Sequence, residues 1–186
     1  IGPPMQPCAI AEWIATRLLP RVFPHPMSAT PDDLFALLDR LGISYSTVTH
    51  PPLFTVEQSR ELRGQISGTH TKNLFLVDRK DRLFLVVAEE SAEIDLKQLH
   101  RRIGASGRLS FGKPDLLRAT LGVEPGSVTA FAAMNDKEGR VSILIDAALA
   151  AQTELNCHPL VNTGTTRVAT ADLLRFLRET GHEPRI

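Results

Sequence analysis

Asn73-Leu74-Phe75-Leu76-Val77, then Asp78-Arg79-Lys80-Asp81-Arg82, then Leu83-Phe84-Leu85-Val86-Val87-Ala88: two apolar runs flank a break of five charged residues. Each run carries the branched and aromatic side chains that suit a pleated, buried surface, and each is too short for a buried helix. The pair predicts a β-hairpin with both strands in the core. Upstream, Thr30-Pro31-Asp32-Asp33 is a helix opening: a capping hydroxyl, a proline in the first turn and acids at the positive dipole end. Leu34, Leu37, Leu38 and Leu41 continue it as an apolar stripe that Gly42 ends. Ser44 to Thr49 alternates as a strand, His50-Pro51-Pro52 turns the chain, and Thr55 with Gln58 caps a helix expected to run to about Arg63.

Downstream, Asp95 opens a basic helix through Arg102 that Gly104 closes, and Pro114 opens another that Gly122 closes. Ser127 to Met134 and Arg140 to Asp146 are expected to form a second hairpin around Asp136-Lys137-Glu138-Gly139. A last helix is expected from Thr170, as its cap, to Gly181. Hairpins mixed with helices, without regular strand-helix alternation, give the expected class: α+β, a single domain with a mixed, largely antiparallel sheet flanked by helices.

The chain has 186 residues, 42% hydrophobic and 23% charged, which suits one globular domain with at most an appendage. Its 21 Lys and Arg balance its 21 Asp and Glu, so any nucleic acid contact must come from a local patch. Cys8 and Cys157 are far apart and form no metal or redox pair. No apolar run reaches the roughly 20 residues that span a bilayer. A cytoplasmic protein without membrane contact is expected. Residues 1–26 hold Pro3, Pro4, Pro7, Pro20 and Pro24 and lack the shape of a secretory signal, so they read as an extension or leader, with the domain proper at 27–186.

Several chemistries lack their residues. There is no Gly-rich phosphate loop and no G-x-S-x-G elbow, and none of the six histidines pairs at helical metal spacing. No metal and no cofactor is expected. Four places stand out. Lys72-Asn73 opens an apolar strand, either as a functional pair or simply where the strand meets solvent. Asn156-Cys157-His158-Pro159-Leu160-Val161-Asn162-Thr163-Gly164-Thr165 gathers amides, an imidazole and hydroxyls, as a binding loop or an Asx-turn connector does. His50-Pro51-Pro52-Leu53-Phe54-Thr55 is a turn into a capped helix. Lys97, His100, Arg101, Arg102, Arg108, Lys113 and Arg118, opposed only by Asp115, form a basic stretch that is either a solvated face or an anion-binding patch.

Taken together, from about residue 28 to 181, these segments resemble the YbaK/ProX family, free-standing relatives of the editing domain of bacterial prolyl-tRNA synthetase. The resemblance rests on His50-Pro51-Pro52 with Thr55-Val56-Glu57, Lys72-Asn73-Leu74-Phe75-Leu76, Phe111-Gly112-Lys113-Pro114 and Leu121-Gly122-Val123 with Pro125-Gly126-Ser127-Val128. Asn135-Asp136, Asn156-x-His158-Pro159-Leu160-x-Asn162-x-x-Thr165 and Asp172-Leu173-Leu174-x-Phe176-Leu177 complete it. The Asn-x-His-Pro-Leu stretch resembles the ProX branch, associated with removing alanine from mischarged tRNA(Pro), rather than the YbaK branch, associated with cysteine.

The resemblance implies a trans-editing aminoacyl-tRNA deacylase. Lys72 matches the family's essential lysine, and with His158 it is expected at the chemistry. Asn73 matches a pocket position; Thr55, His50, Asn156, Pro159, Asn162 and Thr165 are the expected substrate-binding set. Lys97, Arg101, Arg102, Arg108 and Lys113 become candidates for contact with the tRNA acceptor end. The implied partners are mischarged tRNA(Pro) and, as a second candidate, prolyl-tRNA synthetase; no DNA is expected. An aminoacyl ester is already activated, so its hydrolysis calls for a held substrate, a positioned water and a stabilised oxyanion rather than a covalent nucleophile. The alternatives are a Cys-tRNA(Pro) deacylase of the same fold and a non-catalytic tRNA- or synthetase-binding module.

Overall fold

The computed structural model describes residues 28–52 and 66–186; the expected leader and the helix expected from Thr55 lie outside the described residues. Helix α1 (Pro31–Arg40) starts as its sequence predicts. Thr30 accepts from the Asp33 amide while the Asp33 carboxylate takes the Thr30 N–H, a complete capping box. Strand β1 (Tyr45–Thr49) follows, then β2 (Thr69–Val77) and β3 (Leu83–Glu89), the expected hairpin, paired antiparallel with Lys72 opposite Ala88. Next come α2 (Leu96–Ile103), the short β4 (Ser110–Phe111) and α3 (Pro114–Leu121). Gly104 and Gly122 end the two helices in the left-handed conformation that spares glycine a side-chain clash. A 3-10 turn (Ala130–Asn135), β5 (Val141–Ile145), α4 (Ala147–Ala150), β6 (Glu154–Cys157), β7 (Gly164–Ala169) and α5 (Thr170–Glu179) complete the order.

The seven described strands make one mixed sheet in the order β1-β7-β6-β2-β3-β5, with β4 pairing β2 off that path. The ladders β2–β6 and β3–β5 are parallel, and the other four are antiparallel. Two sequence expectations need correction. There is no second hairpin: Ala130-Phe131-Ala132-Ala133-Met134 is a fully buried helical turn, and β5 pairs in parallel with β3. A short apolar run looks the same in a buried turn as in a strand, and its alanines fit the turn. Thr170 is also not the cap of α5. Ala169 holds that position without a side-chain bond, and the Thr170 hydroxyl donates instead to the Gln152 carbonyl.

Strand alternation sorts the core into two faces. Phe75, Leu83, Leu85 and Val87 join α1, α3, α5 and the 3-10 turn in the main core, where Phe131 meets Phe176 edge to face at 5.2 Å. Leu76, Phe84, Val86 and Leu144 point the other way, into a smaller cluster roofed by α2. The hairpin turn is held by Asp78, a buried carboxylate. Oδ1 accepts the amides of Lys80 and Arg82, and Oδ2 accepts the Ser106 amide at 2.7 Å and the Arg82 guanidinium. Burial alone would raise this acid, but the Ser106, Arg82 and Lys80 amides and the Arg82 side chain outweigh it and bring its pKa down to about 2. At the far edge, Arg185 lies parallel to β5, exchanging backbone bonds with Ile143 and Ile145, so the C-terminal segment covers the strand's open side.

Candidate functional site

The register of four ladders builds the site. On β2, alternation puts Lys72 on the face of Leu74 and Leu76, under α2, and sends Asn73 to the face of Phe75. Strand β6 runs parallel to β2 with Asn156 beside His70, so the strand that carries Lys72 neighbours the one that ends at Cys157, just before His158. Strand β7 runs antiparallel to β6 with Asn156 opposite Arg167, which brings Thr165 opposite His158 by continuing the register. Val48 of β1 pairs with Thr165, and Ala88 of β3 with Lys72. One row therefore reads Val48, Thr165, His158, and on the neighbouring strand β2 a second short row pairs Lys72 with Ala88. Residues far apart in sequence meet because the parallel β2–β6 ladder joins the two halves of the sheet.

Within this row the histidines are oriented. His158 Nδ1 lies 3.2 Å from the Gly164 carbonyl; a carbonyl only accepts, so Nδ1 carries the proton and Nε2 offers its lone pair. Burial pushes this imidazole below its ordinary pKa and His50 adds to the effect, against the Gly164 carbonyl and Glu90. His50 is buried, with Nδ1–H donating to the Pro51 carbonyl at 2.9 Å. In that tautomer Nε2 accepts from the Thr165 hydroxyl at 3.0 Å. The His50 amide donates to the Thr163 carbonyl, tying the turn after β1 to the loop before β7.

Lys72 is half-buried and its ammonium donates to the Ala92 carbonyl, in the connection from β3 to α2. An ammonium has three donors, so this one bond orients the group without exhausting it. On its outer edge β2 pairs with β6 at Thr69 and His70 and with β4 at Leu76 and Val77. Between them Lys72–Leu74 have no strand partner on that edge among the described residues. Asn73 sits at this opening, and its buried Oδ1 has no hydrogen-bond partner among the described residues. The structure thus brings His158, His50 and Thr165 together, sets Lys72 on the neighbouring strand β2 with its ammonium on the Ala92 carbonyl, and places Asn73 on the opposite side of that strand from Lys72.

The remaining expected binding residues have other neighbours. Asn156 is buried and its amide N–H₂ donates to the Ser67 carbonyl, bracing the approach to β2. The buried Pro159 packs over Gly164, where an added Cβ would come within 3.1 Å of its ring. Leu160 beside it is buried yet left-handed at φ 66°, a conformation that costs a branched residue about 1 kcal/mol and fixes the loop's path. Asn162 is half-buried near the turn at Gly126. Thr55 lies outside the described residues. Cys157, next to His158, is fully inside the main core, and burial raises its thiol to about 11.

Lys97, Arg101 and Arg102 are exposed on α2, over the face that carries Lys72; Arg108 and Lys113 are exposed just after it. Sequence reasoning passed over Glu90, which acts on the charge of His158 and whose amide donates to the His70 carbonyl. The acidic pair Glu89-Glu90 closing an apolar strand was the available signal. Among the described residues, no group of three or more His, Cys, Asp or Glu is placed to hold a metal ion. No helix among them is long and apolar enough to cross a membrane.

Comparison with known proteins shows the family. Residues 50–176, which span the whole row except Val48, match the aminoacyl-tRNA editing domain. The chain is 40% identical over 154 residues to prolyl-tRNA synthetase associated domain-containing protein 1 of Danio rerio, covering 82% of this chain and 83% of that one. It is 33% identical over 150 residues to the prolyl-tRNA editing protein ProX of Acetoanaerobium sticklandii, covering 80% and 91%. A crystal structure described as a candidate trans-editing enzyme for prolyl tRNA synthetase shares the fold, with a TM-score of 0.64 at 20% identity over 86% of this chain and 96% of that one. On the matched domain and these identities, the chain belongs to the aminoacyl-tRNA editing domain family.

Proposed function

We propose that this protein is a trans-editing hydrolase that removes alanine from mischarged tRNA(Pro) in the cytoplasm. The observation that carries the reading is the histidine pair: His158, held in one tautomer by the Gly164 carbonyl, acts electrostatically with His50, which is bonded to Thr165, while Lys72 offers an ammonium from the neighbouring strand β2. The substrate is an ester between the amino acid and the terminal ribose. Lys72 directs an N–H at the carbonyl oxygen, where negative charge grows as water adds to the carbonyl carbon. The C–O bond to the ribose then breaks, the ribose oxygen takes a proton, and free alanine and tRNA leave. The lone pair on His158 Nε2 holds the water or the free ribose hydroxyl in line, and Thr165 and His50 keep the loop that carries it in place.

Selectivity follows from exclusion. A small pocket admits alanine and rejects proline by clash with packed walls, which resist deformation more than missing contacts penalise a small ligand. The test is deacylation of Ala-, Cys- and Pro-charged tRNA(Pro) side by side. Alanine release with proline spared is expected; release of cysteine alone would move the protein to the cysteine-specific reading, and no release at all would leave a binding module.

The histidine makes a second expectation. Its neutral form is the working one, and burial lowers its pKa below the ordinary 6.5, so the neutral form persists as pH falls through that value. The rate, corrected for spontaneous ester loss, should hold from pH 7 down to 6.5 and fall only below it. An acid limb above pH 6.5 that disappears in His158→Ala would contradict this assignment.

A further inference from the structure

Phe111 is 62% exposed, although its neighbours on either side are held firmly. Leu109, two residues earlier on the same face, is buried in the cluster under α2. Phe111 pairs with Leu76 across the β2–β4 ladder, and the following amide, from Gly112, donates to the Phe75 carbonyl at 2.9 Å. A Cβ on Gly112 would come within 2.4 Å of the Phe75 ring, so the backbone after Phe111 packs closely against that ring with no room for a side chain. The paired backbone therefore holds Phe111 at a defined place with its ring largely outside the core.

Its position explains the exposure. Paired residues share a face, so Phe111 lies on the face of Leu76 and hence of Lys72. It sits one strand across, beside the opening in the edge of β2, and four residues along, about 13 Å at strand spacing. That span reaches past an aminoacyl group to the nucleotides that carry it. Exposed Arg108 and Lys113 flank it, and from Gly104 to Pro114 there is no acidic residue. A fixed aromatic face between cations, beside an ester-hydrolysing centre, matches the way single-stranded nucleotides are held: bases stack while the backbone finds positive charge.

We infer that Phe111 is a stacking platform for an unpaired base at the 3′ end of the tRNA, with Arg108 and Lys113 taking the adjoining phosphates. The inference rests on the proposed function in that it takes a tRNA end as the ligand, and it adds where the bases go. Stacking of this kind is sequence-tolerant, so it supplies affinity for any tRNA end and leaves discrimination between tRNAs to other contacts.

The test separates binding from hydrolysis. Uncharged tRNA(Pro) carrying 2-aminopurine in place of one of its unpaired 3′ bases is titrated with wild type, Phe111→Ala, Phe111→Leu and Phe111→Trp, while single-turnover deacylation of Ala-tRNA(Pro) is followed in parallel. Wild type should quench the probe. Phe111→Ala and Phe111→Leu should weaken binding about tenfold and lose the quench, with the deacylation rate at saturating protein within about threefold of wild type. Phe111→Trp should restore both affinity and quench. Because the ring is exposed, all three variants should melt with the wild type, which excludes misfolding as the cause. Equal binding and quench in Phe111→Leu would overturn the inference, as would intact tRNA binding with lost affinity for prolyl-tRNA synthetase, which would make the ring a protein contact. If wild type binds and quenches but hydrolyses nothing, the platform stands and the proposed hydrolase fails.

Discussion

Lys72→Ala is expected to lower the single-turnover rate of Ala-tRNA(Pro) deacylation by about 10²–10³, the usual loss when a preorganised donor to an oxyanion is removed. The effect should lie in the rate at saturating protein rather than in the half-saturating concentration, because the ammonium's contribution grows as the carbonyl oxygen gains charge. Fold damage is not a rival explanation: Lys72 is half-buried at a strand edge, and its described side-chain bond is to one loop carbonyl. Melting temperature should move little. Lys72→Arg keeps the charge but replaces a compact ammonium with a longer planar fork, so it should recover only a small part of the rate. Undiminished deacylation by Lys72→Ala would remove the lysine from the mechanism while leaving the reaction itself in place.

Asp78→Ala is expected to destabilise the protein by about 3 kcal/mol in urea unfolding at pH 7. The substitution strips the acceptor from three part-buried amides and from the Arg82 guanidinium. The same carboxylate gives the protein a signature at low pH. Its folded pKa of about 2 lies below its unfolded value of 3.8, so the native state holds the anion more firmly than the unfolded chain does. That stabilisation is complete above about pH 4 and fades as pH falls toward 2. Wild type should therefore lose stability through this window, and Asp78→Ala, already without it, should lose less. Equal stabilities at pH 7, or parallel acid curves, would show that the hairpin turn does not depend on this network.

What the sequence discloses and what it hides divide along one physical line: range. The hairpin from Asn73 to Ala88, the caps at Thr30 and Asp95 and the glycine stops at Gly104 and Gly122 are local, and each is written within a few adjacent residues. Strands β6 and β7 are not visible that way. Asn156 and Thr165 look like loop residues because their partners, Ser67 and His50, are supplied by distant segments. The 3-10 turn at Ala130–Asn135 is hidden for the opposite reason: complete burial erases the periodicity that would distinguish it from a strand. For the site, residue chemistry singles out Lys72 and His158 separately, while the parallel ladder that sets β2 beside β6 is written in no short stretch of sequence. Asn73 shows the limit from the other side. Chain neighbours on a strand face away from each other, so its link with Lys72 runs through the open strand edge rather than a shared surface.

The burial of Cys157 bears on how the protein withstands oxidants. A thiol one residue from a proposed catalytic histidine is an ordinary route to inactivation, because peroxide attacks the thiolate and converts it to acids of increasing size. Here the sulfur faces the main core and its pKa is about 11, so at neutral pH almost none of it is thiolate and none of it is accessible. The strand that leads into His158 therefore presents no reactive thiolate beside the candidate site.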